Sequence, residues 1–132
     1  MTLKTLGAWT TVAGVAGALA VTGAGVASAG GEAHAAKATL SLKANAQGDL
    51  KFNKKKLSAP AGKVTIVMSN PSTSMTKHGI AVEGHGVDKD GKVVKPGKTS
   101  TVTVTLKPGK YDYYCPVHAH KLAGMGGTLT VK

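Results

Sequence analysis

The sequence predicts an all-β chain folded as a two-sheet Greek-key β-sandwich, preceded by an amino-terminal signal peptide. From Lys37 onward, short runs rich in Val, Ile, Thr and Leu alternate with Gly, Pro, Asn and Asp, and no window keeps a helical period. Thr101 to Leu106 alternates residue by residue, which turns Val102, Val104 and Leu106 to a core and the threonines to water. About eight such runs in roughly a hundred residues suit two stacked sheets better than one.

The first element is an address. Lys4 gives a short positive start, Leu6 to Val26 carries no charge, and Ala27-Ser28-Ala29 is a small-x-small cleavage site ahead of Gly30. Residues 1–29 therefore read as a signal peptide and 37–132 as the domain. The uncharged run could span a bilayer if it were kept, but its glycines and threonines dilute it, so cleavage is the expectation and a membrane anchor the alternative. The predicted location is exported: periplasm, cell surface or medium.

The predicted strands are Thr39–Ala44, Leu50–Phe52, Lys56–Ala59, Val64–Ser69, Gly79–Val82, Thr99–Leu106, Lys110–Cys115 and Thr128–Val131. Val64 to Met68 is mostly apolar and suits a central strand. Lys107-Pro108-Gly109-Lys110 reads as a tight turn joining Thr99–Leu106 to a partner strand. Lys54-Lys55-Lys56 reads as a charged edge or loop that discourages edge pairing. Tyr113 and Tyr114 fall on opposite faces of their strand, one inward and one outward.

The chain has 132 residues, enough for one domain. Seventeen basic residues, all lysine, stand against six acids, for a formal charge of +11. Such a surface favours solubility and an acidic docking partner. Nucleic acid is a poor fit, because the chain has no arginine and few aromatic side chains. Cys115 is the only cysteine, which excludes an intrachain disulfide.

The chemistry concentrates between Tyr113 and Met125. From Cys115 to Met125 the chain offers a thiol, two imidazoles (His118 and His120) and a thioether, the donor set that a soft or borderline metal such as copper prefers. One thiolate with neutral imidazoles leaves Cu(I) near neutral and Cu(II) at plus one, so a single pocket tolerates both states. A further imidazole, His78, follows the loop Asn70 to Lys77 and precedes the strand-like Gly79-Ile80-Ala81-Val82. His34 and His85 have no spaced partners and read as surface residues. Met68 reads as core, and Met75 as loop packing near the site.

These stretches resemble the cupredoxin family of blue copper proteins, which includes plastocyanin, pseudoazurin, amicyanin and azurin. The resemblance rests on the Asn70 to His78 loop, the Lys107-Pro108-Gly109-Lys110-Tyr111 turn, Tyr114-Cys115, and Gly124-Met125-Gly126-Gly127-Thr128-Leu129. It implies a cupredoxin-like sandwich with one type 1 copper ion held near one end by His78, Cys115, His120 and Met125. The family's spacing of five residues from Cys to His and five more to Met selects His120. The shorter variant would select His118, but it requires a methionine at 123, where this chain has Ala123. Two departures stand out: His118 occupies a place where the loop usually has proline, and Gly79 follows His78 where the family commonly has asparagine. That asparagine helps to tie the two ligand loops together; here Asn70 or Thr73 is the candidate substitute.

The resemblance implies a one-electron carrier working between protein redox partners. The alternative is an exported module that stores or delivers copper. An enzyme is not expected, since no second metal set accompanies the first and Tyr114 and Pro116, rather than histidines, flank Cys115. A binuclear centre needs a second cysteine, and zinc is poorly served by a thioether.

Overall fold

The computed structural model describes residues 36–132; the predicted signal peptide and His34 lie outside them. Among the described residues there are eight strands and one short helix: β1 Ala36–Lys43, β2 Lys56–Ala59, β3 Gly62–Ser69, β4 Ala81–Gly84, β5 Val87–Asp90, β6 Thr99–Leu106, β7 Gly109–Tyr114, α1 His118–Leu122 and β8 Gly126–Val131. They form two sheets, one in the order β1-β3-β6 and one in the order β2-β8-β7-β4-β5.

The alternation along each strand decides which side chains meet between the sheets. Val64, Ile66 and Met68 of β3 are fully buried, as the central strand of a three-stranded sheet requires, with β1 parallel on one side and β6 antiparallel on the other. In β6, Val102 and Leu106 are buried and the threonines exposed. From the facing sheet come Val82, Tyr111, Tyr113, Leu129 and Val131. Phe52 closes this core with its ring 6.0 Å from that of Tyr113. Removing one such side chain, as in Ile66→Ala, carries a cost of about 2–5 kcal/mol.

The structure corrects three expectations and adds one strand. The Pro108-Gly109 turn does not close a hairpin, because β6 pairs with β3 and β7 with β4 and β8, so the turn carries the chain from one sheet to the other. Leu50–Phe52 is not a strand; Phe52 makes one isolated bridge to Ala44. The predicted strand at Gly79–Val82 begins instead at Ala81, since the backbone of His78 pairs with Val94 and that of Ile80 accepts from Gly91. β5 went unpredicted, because Val87-Asp88-Lys89-Asp90 is a polar edge strand with little apolar signal.

The pairing of β4 with β7 inside the five-stranded sheet matters for the site. β7 ends at Tyr114, one residue before Cys115, and β4 starts three residues after His78, in adjacent antiparallel strands. The end of one strand and the approach to its neighbour therefore lie side by side at one end of the sandwich.

Candidate metal centre

His78 comes from a long loop that the backbone fixes. Its N–H donates to Val94 O at 3.1 Å, and its carbonyl accepts from Val94 N at 2.8 Å. Asn70, 1% exposed, donates through Nδ2 to Thr76 O and Val94 O at 3.0 and 3.1 Å, while its own backbone is bonded to Lys98 and Gly97. Asn70 thus stitches the loop together from inside. Of the two suggested substitutes for the family's asparagine, Thr73 is exposed, and Asn70 braces this loop rather than joining it to the other.

What joins the two loops is Gly79. Its N–H donates to Cys115 Sγ at 3.4 Å, and a Cβ on it would come within 3.1–3.2 Å of Pro116 carbons and Lys92 O. The lack of a side chain lets the His78 segment lie directly against the strand end that carries Cys115.

The other loop is short and turns tightly. After Cys115 and Pro116 the chain makes the single helical turn α1, which places His120 inward at 8% exposure and leaves His118 exposed. Gly124, at φ 86°, stops the turn in the left-handed region, where glycine alone adds no steric cost. Met125 follows, fully buried. Its N–H donates to His120 O, and its carbonyl accepts from Cys115 N, both at 3.0 Å. The backbones of Cys115, His120 and Met125 are therefore bonded to one another.

The structure brings His78, Cys115 and His120 together, with one donor atom from each lying within 4.8 Å of the others. Nδ1 of His78 is 3.8 Å from Cys115 Sγ and Nδ1 of His120 is 3.5 Å from it; the two rings lie 4.9 Å apart. Two donors at about 2.3 Å (sulfur) and 2.0 Å (nitrogen) from one metal, about 120° apart, would themselves be about 3.7 Å apart. The observed separations match that spacing.

The electrostatics point the same way. Burial, with the charge of His120 beside it, lowers the pKa of His78, and burial lowers that of His120, so both imidazoles favour the neutral form a metal ligand needs. Burial pushes the Cys115 thiol up, opposed by the N–H groups of Gly79 and Val117 that favour the thiolate. As core packing the cluster is poor. His78 Nε2 is buried without a hydrogen-bond partner, a loss of about 1–3 kcal/mol in an ordinary interior. Two buried imidazoles whose Nδ1 atoms face a buried thiol nonetheless match a soft metal's donor set.

The remaining expectations sort by exposure. Met68 is core, and His85 is exposed, with its ring edge-on to Tyr111 at 5.1 Å. Met75 is 83% exposed, so it does not pack at the site; its sulfur lies 3.4 Å from the place a Cβ on Gly48 would occupy. Tyr113 is buried, its pKa raised to about 12 by burial, and its hydroxyl donates to Lys54 O. Tyr114 faces outward, where burial, then Asp90, Glu83 and Asp88, raise it to about 12. Sequence reasoning missed Lys121. Its ammonium holds Glu83 through both carboxylate oxygens, at 2.7 and 2.8 Å, and lies 3.9 Å from the centre of the Tyr114 ring. Its only sequence signal was a position one residue after His120.

The cupredoxin-like domain family matches residues 15–131. Among solved structures, auracyanin B is 26% identical with a TM-score of 0.63, covering 74% of this chain and 90% of its own. A dithionite-reduced auracyanin from the photosynthetic bacterium Roseiflexus castenholzii (24%, TM-score 0.60) covers 71% of this chain and 96% of its own, and shares the fold. So does a copper nitrite reductase from Nitrosomonas europaea (24%, TM-score 0.59), covering 74% of this chain and 42% of its own. No curated protein matches the sequence itself at a significant level. The family together with the His78, Cys115 and His120 cluster fits a single type 1 copper ion.

Proposed function

The chain belongs to the cupredoxin-like domain family, and from that premise we propose that it is a type 1 blue copper protein that carries single electrons between protein partners. The observation that carries this reading is the approach of two imidazole Nδ1 atoms to one buried thiol, at 3.8 and 3.5 Å. In this reading His78, Cys115 and His120 would hold the copper, with the Met125 thioether as a fourth donor. Copper bound there supplies a one-electron Cu(I)/Cu(II) couple.

The chain's own part is to keep the donors still. Cys115 and His78 are fully buried at adjacent strand ends, and Gly79 N–H steadies the sulfur whichever charge the site carries. Neutral imidazoles and one thiolate keep the pocket close to neutral in both oxidation states. Burial of all three donors also favours a retained ion over one handed on to another protein, so we read the chain as a carrier and not as a delivery module. We take it to be no enzyme: the reductase it resembles extends well beyond the matched part. Export follows from the uncharged run and Ala27-Ser28-Ala29, and implies a mature amino terminus near Gly30.

The test is optical. One equivalent of Cu(II) added to the metal-free protein should give an intense blue band from thiolate-to-copper charge transfer, and Cys115→Ser should abolish it. A wild-type protein that stays colourless with stoichiometric Cu(II) would end the blue-copper reading.

A further inference from the structure

Of the three consecutive lysines 54–56, Lys55 is not simply a solvated charge. Its ammonium donates to Gly124 O at 2.8 Å and to Gly126 O at 3.0 Å, reaching 69 and 71 residues along the chain. Those carbonyls stand on either side of Met125. The same three residues form a tight reversal, in which Gly126 N–H donates to Gly124 O at 2.9 Å. Because residues 124 and 126 are both glycine, the reversal has no flanking side chains to pack, and its carbonyls are the handles left for another part of the molecule. The backbone carbonyl of Lys55 accepts from Thr128 N at 2.9 Å, so the lysine grips the chain on both sides of the start of β8.

We propose that Lys55 is a positioning residue for Met125: its ammonium bridges the two carbonyls flanking the methionine and fixes where the thioether stands. The proposal rests on the reading of Met125 as a copper donor. Charge-assisted hydrogen bonds are the strong kind, and two converging on one cation define a place as well as an energy. Among the described residues the ion pairs are Lys51 with Asp49 and Lys121 with Glu83, so no carboxylate neutralises Lys55. It therefore also sets a fixed positive charge beside the Met125 turn, and such a charge favours the less positive Cu(I) state.

The experiment compares Lys55→Met, which keeps the aliphatic stem, and Lys55→Arg with the wild type. In the copper-loaded protein, Lys55→Met should lower the reduction potential and change the relative intensities of the charge-transfer bands, while Lys55→Arg restores most of both. In the metal-free protein, exchange of the Met125 and Cys115 amide hydrogens should rise about tenfold in Lys55→Met, with Ile66 and Val102 unchanged. An unaltered potential and exchange in Lys55→Met overturns the proposal, as does a uniform rise that includes Ile66, which would mark general destabilisation. The metal-free arm separates the two readings. A colourless wild type whose Met125 exchange still depends on Lys55 overturns the copper assignment and supports the positioning role.

Discussion

The two arms of the site are built on opposite plans. The arm that brings His78 is long, supplies one donor, and is held by bonds to distant backbone: Val94 on both sides of His78, and Asn70 reaching across to Thr76 and Val94. The arm from Cys115 to Met125 supplies three candidate donors in eleven residues and is held mainly by bonds among those same residues. The first arm is placed by the fold, the second largely by itself. A short loop therefore fixes the relative positions of its donors cheaply, because few residues need ordering, whereas the fourth donor depends on stitching across the sandwich.

The largest effect tests the short arm. His120→Ala removes a proposed copper donor that the loop cannot replace, since His118 is exposed on the other side of the helical turn. The blue spectrum should be lost, and added imidazole should recover part of it by entering the gap. His118→Ala should keep the colour. If absorption spectra of the two copper-loaded variants showed the reverse, the short arm would place its donors differently from the geometry described above.

A middle-sized effect tests the long arm. Asn70→Ala deletes two buried hydrogen bonds that brace the His78 loop and should cost about 1–3 kcal/mol in urea denaturation of the metal-free protein. Copper should then dissociate faster, with the colour itself retained. Unchanged stability would show that Val94 alone secures this arm and would erase much of the contrast.

The smallest effect comes from charges that belong to neither arm. Electron exchange with an acidic partner should slow as salt rises, because exposed lysines are screened over roughly 10 Å at 0.1 M. Stopped-flow rates that ignore salt with every acidic partner would reduce the lysine excess to a solubility device. Position on the surface matters here as well as number. Glu83, Asp88 and Asp112 lie in register across β5, β4 and β7, so the coat of lysines has an acidic face beside Tyr114.

The donor types, their order and the alternation of Thr99–Leu106 were all legible in the sequence, because side-chain chemistry and a period of two are local properties. So were β2 and β6 to the residue, and Val64 to Met68 as a central strand. Pairing was not. A Pro-Gly turn looks the same whether it closes a hairpin or carries the chain between sheets, and only the competition of β3, β4 and β8 for partners decides. The short helix at His118–Leu122 escaped because five residues are too few for a period, and β5 because an edge strand need not be apolar. The role of Lys55 lay beyond any local reading, since a lysine in a charged run differs from its neighbours only by what lies 69 and 71 residues away. Sequence fixes what a residue can donate, accept or bury; which of those capacities is used depends on contacts that form only when distant segments meet.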